Sequence, residues 1–319
     1  MRCLASSPKA IVTRALRFSL YCLGAVVCIV SYESCAKNHD APFFDGDKAY
    51  EYLKEQVNFG PRVPGSENAV KCREYFLSFF HSLGVKVDTM AFTHDDKASD
   101  KQIPMANIIA HFRGIDSAVA KNYLFAAHWD SRPRAEYDPD STKRNSPIDG
   151  ANDGASGVAI LMELGNLLAK EKPRVNIDIA LLDGEDWGAP GDIGEYFLGA
   201  KDLVKRDITG KYKFAVLVDM VGDKDLKICR EEFSNHYFPQ LNDVLWNTAG
   251  RLGEKSFVDS VGYSVMDDHL SFMTIGIPSA VIIDFDYKYW HTTQDTPDKC
   301  SAQSLLTVGR VLTEVIYQL

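Results

Sequence analysis

Five short apolar runs punctuate the chain: Asn107 to Phe112, Tyr123 to Ala127, Val175 to Leu182, Phe214 to Val218 and Ala280 to Ile283. Each is rich in aliphatic, aromatic or β-branched residues and ends in a polar cluster, as strands do. Between them, Glu67 to Leu83, Ala155 to Leu168, Tyr237 to Leu252 and Ser301 to Tyr317 place apolar residues three and four apart, the spacing of amphipathic helices. Gly84 and Gly253 follow two of these segments as C-terminal caps. Strand runs alternating with helical segments predict an α/β domain with a mixed, mostly parallel central sheet flanked by helices. No internal repeat or low-complexity linker interrupts the pattern, so one domain is expected over residues 35–319.

One connection breaks the alternation. Ser131 to Asp149 carries three prolines and eight charged residues with almost no apolar periodicity. A stretch of that length inside a compact domain is usually a functional loop or a disordered one.

The first 34 residues differ from the rest. Arg2, Lys9, Arg14 and Arg17 precede an apolar run from Phe18 to Tyr32, and Glu33 is the only acid. The run is short for a membrane span and suits the apolar region of a signal peptide, which predicts export. The alternative is an N-terminal membrane anchor. Ser34-Cys35, followed by a polar stretch, resembles a bacterial lipoprotein cleavage site, although Tyr32 and Glu33 depart from its usual upstream residues. That resemblance implies a periplasmic protein, lipid-anchored through Cys35, its only expected membrane contact.

Composition refines this picture. The 319 residues carry 35 Lys+Arg against 44 Asp+Glu, a net charge of −9, and 45% are hydrophobic. Without the leader the counts are 31 and 43, so the body carries −12. An acidic body with no basic run excludes a nucleic-acid-binding surface, and the apolar content excludes intrinsic disorder. Of seven cysteines, only Cys72, Cys229 and Cys300 lie beyond Cys35, widely spaced and odd in number, so neither a disulfide framework nor a CxxC motif is present.

In open α/β sheets ligands bind beyond the C-terminal ends of the strands. The polar residues that follow the apolar runs are His128 and Asp130, then Glu185 and Asp186, then Asp219, and then His291. Any one of them alone is ordinarily a capping or surface residue. As a set they are harder to dismiss, because Asp153, in Gly150-Ala151-Asn152-Asp153-Gly154, also opens a helix where several strand ends could meet it. Two histidines and several carboxylates on one crevice suit a borderline metal such as Zn2+. His39, His81, His94, His111 and His236 read as surface or structural residues. There is no Gly-x-Ser-x-Gly elbow, Walker A loop or Rossmann fingerprint.

The motifs that hold these residues run in order along the body: Asn58 to Ser66 (NFGPRVPGS), His128-Trp129-Asp130-Ser131, Gly150 to Gly157 (GANDGASG) and Leu181 to Gly188 (LLDGEDWG). Leu217 to Asp223 (LVDMVGD), Asp267-Asp268-His269 and Trp290 to Asp298 (WHTTQDTPD) follow. In this the chain resembles the zinc-dependent aminopeptidases and their relatives, the glutaminyl-peptide cyclotransferases, and most closely the bacterial glutaminyl cyclases. The resemblance implies that Asp153, Asp186 and His291 bind one zinc. It further implies that Glu185 is the general acid/base and that Asp130 orients His128. In a two-zinc aminopeptidase, His128 and Asp219 would hold a second zinc, with Asp153 bridging. The chain departs from the family's common Glu-Glu at Glu185-Asp186, and the shorter side chain moves the ligand oxygens by roughly 1.5 Å, one carbon–carbon bond.

Three features of the resemblance favour the cyclase. Asp268 would hydrogen-bond Asp219 and hold it away from a metal, Trp290 would wall a small pocket beside His291, and the long loop after His128 resembles bacterial cyclase-like members. Trp187 joins Trp290 as a pocket candidate, although either indole could be an ordinary core residue, and Asp267 could be a helix N-cap. The expected enzyme is a monomeric acyltransferase acting on peptides or proteins with N-terminal glutamine. A two-zinc aminopeptidase and a non-catalytic exported binding module of the same fold are the alternatives.

Overall fold

The computed structural model describes residues 41–115 and 120–319; the leader over residues 1–34, Cys35 and His39 lie outside them. Two helices come first, α1 (Gly46–Asn58) and α2 (Glu67–Ser82). The side chains of Asp45 and Ser66 cap them by accepting from Lys48 N and Ala69 N, the third N–H of each. Gly84 follows α2 at φ +71°, a left-handed conformation that glycine adopts without strain. Then come β1 (Lys86–Asp96), β2 (Lys101–Phe112), β3 (Asn122–His128), α3 (Ala155–Lys170), β4 (Asn176–Leu182), α4 (Leu198–Val204) and β5 (Ala215–Asp219). The chain continues through β6 (Ile228–Arg230), α5 (Glu232–Tyr237), α6 (Pro239–Leu252), β7 (Phe257–Val261), α7 (His269–Met273), β8 (Ser279–Ile283) and α8 (Ala302–Gln318).

The main sheet has the order β1-β2-β4-β3-β5-β8. Strands β4, β3, β5 and β8 run parallel, and the antiparallel β1–β2 hairpin completes one edge. Strands β6 and β7 form a separate parallel pair. Side chains alternate across the main sheet. Phe125, Ile179, Leu181, Val216 and Ile282 enter one apolar cluster with α1, α2, α3, α6 and α8, while Leu124, Ala180, Leu182, Leu217 and Val281 enter a second with α4 and α7. Strands covered on both faces must be apolar at successive positions, which is why four of the five runs stand out in the sequence.

Helix α3 is buried at every position from Ala155 to Leu168. It lies so close to the sheet that a Cβ on Gly157 would stand 2.1 Å from the carbonyl oxygen of Val218. Any substitution there forces helix and strand apart. The helix predicted over Tyr237 to Leu252 is α6, which starts two residues later at Pro239; Tyr237 instead ends the short α5, and a break at Phe238 with φ −135° and ψ 59° separates the two. Pro239 causes the break: its ring disfavours helical geometry in the preceding residue, yet it fits the first position of a new helix.

Candidate metal centre and active site

Parallel strands deliver their C-terminal ends to one edge of the sheet. There β3 ends on His128 and β5 on Asp219, while the turn after β4 carries Glu185 and Asp186. Asp153 lies just ahead of α3, and His291 in the turn beyond β8 at φ +53°. The loops fold these residues into two overlapping groups whose ligand atoms all lie within 4.8 Å of one another: Asp153, Asp186 and His291, and His128, Asp153 and Asp219.

The two groups differ in how their atoms are satisfied. In the second, His128 Nε2 lies 3.1 Å from Asp219 Oδ1 and 3.2 Å from Asp153 Oδ1. In the first, His291 Nε2 stands 3.4 Å from Asp186 Oδ1 and 3.6 Å from Asp153 Oδ2. Asp153 Oδ2, on the residue the groups share, and Asp186 Oδ2 and His291 Nδ1 in the first are buried with no hydrogen-bond partner, whereas no buried side-chain atom of His128 or Asp219 lacks one. Two orphaned carboxylate oxygens beside an imidazole are the donor set of a divalent cation, so the residues fit zinc.

The same crowding shifts the titrations. Burial and the neighbouring Asp186 raise Asp153 to about 6. Burial opposes the imidazolium of His291, but Asp186 and Glu136 outweigh it and leave the ring at about 9. Burial and the charge of Asp186 push Glu185 well above the usual carboxylate range. Asp186 falls well below it, because His291 and Arg132 overcome its burial.

Supporting contacts hold the turns. Asp130 is fully buried, accepts the backbone N–H groups of Glu185 and Asp186 at 3.1 and 3.2 Å, and lies 3.4 Å from His128 Nδ1. Asp295 accepts the N–H groups of Asn152 and Asp153 at 2.9 and 3.1 Å, and Tyr287 donates its hydroxyl proton to it. A Cβ on Gly154 would come within 2.6 Å of the His128 ring, so glycine is required for this approach.

Residues 131–149 form an ordered wall rather than a disordered insertion. Arg62, buried and drawn from the segment before α2, donates to the carbonyls of Trp129, Asp149 and Gly150 at 3.0, 2.7 and 2.8 Å, tying both ends of the loop together. Inside the loop, Arg132 reaches Asp186 and Glu136 approaches His291. Tyr137 stacks on the His291 ring at 5.8 Å. Sequence reasoning assigned no role to Arg62, Arg132, Glu136, Tyr137 or Asp295; the density of charge in the loop was the only signal for its members.

Above the metal group opens a cavity of about 340 Å3, walled by Tyr137, Tyr196, Phe197, Val265, Phe285 and Trp290, with Glu185, Asp219 and Asp267 among its polar atoms. The Trp290 ring packs on His291 at 4.0 Å and on Phe285 at 5.1 Å. Two expected positions fall elsewhere. Trp187 is not in the cavity wall; its Nε1 points away to Asp96 Oδ1 at 3.3 Å. Among the described residues Asp268 makes no hydrogen bond to Asp219, whose Oδ1 faces His128. Because α7 starts at His269, Asp268 is turned inward with Oδ1 unpartnered, and Asp267 faces the cavity instead. Asp267 is not the N-cap of α7 either; its side chain accepts only from the adjacent Asp268 N–H.

Among the other histidines, His111 bridges Asp178 and Asp88, and His94 pairs with Glu195 beside Asp96 in a third compact group whose members do not line the cavity. Cys72, Cys229 and Cys300 are free, buried thiols.

Comparison with known proteins bears on this site. The glutaminyl cyclase of Bacteroides thetaiotaomicron bound to N-acetylhistamine is 34% identical, with a TM-score of 0.83 over 88% of this chain and 100% of that one. A leucine aminopeptidase precursor of the same organism is equally similar, 34% identical at a TM-score of 0.83, covering 88% of this chain and 99% of that one. A probable zinc metalloprotease of Leptosphaeria maculans is 31% identical over 138 residues, 43% of this chain and 30% of that protein. The chain spans less than a third of the length of the first curated relatives it matches. A zinc-dependent exopeptidase of Parabacteroides distasonis shares the fold at a TM-score of 0.82 and 32% identity, over 88% of this chain and 100% of that one, in keeping with zinc as the metal of this site. Residues 107–316 match peptidase family M28, and the chain belongs to that family.

Proposed function

We propose that this protein is an exported, one-zinc glutaminyl-peptide cyclotransferase, which converts N-terminal glutamine of peptides or proteins to pyroglutamate and releases ammonia. Asp153, Asp186 and His291 hold the zinc, Glu185 carries the proton, and Asp219 receives the substrate's amino terminus. The observation that carries this reading is the asymmetry of the members that the two groups do not share: Asp186 Oδ2 in the first is buried without a partner, while in the second His128 Nε2 lies 3.1 Å from Asp219 Oδ1. One cation completes the site. A cavity of about 340 Å3, near the small end of ligand pockets, suits a single terminal residue.

Zinc, when bound, supplies Lewis-acid polarisation of the substrate's γ-carbonyl. The α-amine attacks that carbonyl carbon, forming the ring C–N bond. The Glu185 carboxylate takes the amine proton and delivers it to the departing amide nitrogen, which leaves as ammonia. A carboxylate whose proton affinity is raised by burial and by Asp186 is suited to both halves of this transfer. Trp290 and Phe285 give the cavity an apolar wall, which suits a reaction that consumes no water.

A second reading, the two-zinc aminopeptidase, is favoured by one observation: His128, Asp153 and Asp219 also come within 4.8 Å. A paired assay separates the two. The cyclase is expected to release ammonia from glutaminyl-peptides and no amino acid from leucyl-peptides, with one zinc per chain. The reverse pattern with two zincs establishes the peptidase, and neither activity leaves a binding module. Export and a lipid anchor at Cys35 belong to the same proposal, supported by the basic-then-apolar leader; fatty-acid labelling lost in Cys35→Ala checks them.

A further inference from the structure

The loop that sequence analysis left without a pattern reaches the metal group from behind. Arg132 is fully buried and each nitrogen of its guanidinium donates to a carboxylate, a carbonyl or an aromatic hydroxyl. Nη1 donates to Asp186 Oδ1 at 2.6 Å and to the Asp186 carbonyl at 3.1 Å, Nε donates to both oxygens of Glu136, and Nη2 donates to Glu136 Oε1 and to the Tyr196 hydroxyl. Glu136 in turn places Oε1 3.3 Å from His291 Nδ1, on the side of the ring opposite the Nε2 that faces Asp153 and Asp186; the approach is at ion-pair distance but is not an aligned hydrogen bond, and Nδ1 has no other partner. One ion pair thus touches two of the three ligands that the proposed function assigns to zinc.

We infer that Arg132 and Glu136 are a positioning pair for the metal site: Arg132 confines Asp186 to ligation through Oδ2, and Glu136 holds His291 as the tautomer with Nδ1–H toward the carboxylate and Nε2 toward the metal. The inference rests on the ligand assignment above. It also accounts for the aspartate at position 186. A side chain one methylene shorter than glutamate reaches the metal only if its backbone is held forward, and here the Asp186 carbonyl is gripped by Arg132 while its N–H is gripped by Asp130. With Oδ1 occupied by a guanidinium, only Oδ2 is left, and that is the oxygen without a partner. A carboxylate behind a ligating imidazole fixes its orientation and raises its basicity, and removing such partners typically costs 10- to 100-fold in metal affinity.

The test is zinc affinity of the full chain, measured by chelator competition without substrate, so that it does not depend on which reaction the enzyme performs. Glu136→Ala is expected to weaken zinc binding 10- to 100-fold, and Glu136→Gln, which keeps an acceptor for Nδ1–H, to recover most of that loss. Long-range 1H–15N spectra of the zinc-loaded protein are expected to show His291 protonated at Nδ1, and a mixture of tautomers in Glu136→Ala. Asp186→Ala is the control. If it does not weaken zinc binding, the ligand assignment fails, and the inference with it. If Asp186→Ala abolishes binding while Glu136→Ala matches wild type in affinity and tautomer and only lowers the melting temperature of the zinc-free protein, the pair is merely structural. That outcome overturns the positioning role and leaves the proposed function standing.

Discussion

Strand β4 carries buried acids at both ends, and the ends treat them oppositely. Near its start, Asp178 is wholly buried yet fully answered: His111 at 2.7 Å and Arg113 at 3.4 Å on one oxygen, Tyr212 at 2.8 Å and Lys211 at 3.1 Å on the other. Past its end, Asp183 Oδ1 and Asp186 Oδ2 have no partner, and Glu185 is pushed to a high proton affinity. Burying an unpaired carboxylate costs several kcal/mol, so a fold retains such a cluster only if something else completes it. What distinguishes the functional end is thus a deficit of partners, not the presence of acids.

The sharpest way to break that contrast is Glu185→Gln, which keeps the shape and removes the proton carrier. Turnover on a glutaminyl-peptide is expected to fall about 10^2- to 10^4-fold, the usual worth of a positioned acid/base, while zinc per chain is unchanged. Retained turnover removes Glu185 from the chemistry. Next in size is the difference between the two metal groups. Elemental analysis is expected to find one zinc per chain in wild type and in His128→Ala, and essentially none in Asp186→Ala. Two in wild type, falling to one in His128→Ala, would show that the His128 side is also short of a cation. Smaller still is Trp290→Ala, which opens the wall without touching the ligands; KM is expected to rise about tenfold or more with zinc retained, the scale of apolar pocket contacts. An unchanged KM would make the indole a packing residue.

How much of this was legible in the chain follows from the same distinction. Strands β3, β4, β5 and β8 are covered on both faces, so their continuous apolar runs marked them, and the ligand-type residues at their ends were conspicuous because each run stops abruptly. Edge strand β1 was not legible, because it alternates half-buried positions with exposed Lys86, Thr89, Thr93 and Asp95 and so has no apolar run. Nor was the short α7, whose start at His269 places Asp267 rather than Asp268 in the cavity. The loop was illegible for a different reason. Its conformation is set by Arg62, about 70 residues earlier in the chain, and by Asp186 and His291 far beyond it, so no local period encodes where Arg132 and Glu136 point.

The structural end of β4 yields the smallest effect on activity and the cleanest control. Burial alone would raise Asp178, but the hydrogen bond and charge of His111, with Lys211 and Tyr212, overrule it and hold the carboxyl at about 2, below the usual 3.8. A folded-state pKa below the unfolded one adds stability that is present above the unfolded value and is lost as pH falls through the folded one. The Asp178 contribution is therefore complete above pH 5 and disappears between about pH 4 and pH 2. Asp178→Asn is expected to lower the unfolding free energy at neutral pH by roughly 2 kcal/mol, to converge on wild type near pH 2, and to leave zinc content and KM unaltered. Denaturant melts at several pH values measure this. A stability loss that did not shrink with acid would mean that Asp178 acts through shape rather than charge, and a change in zinc content would mean that the two ends of the strand are coupled.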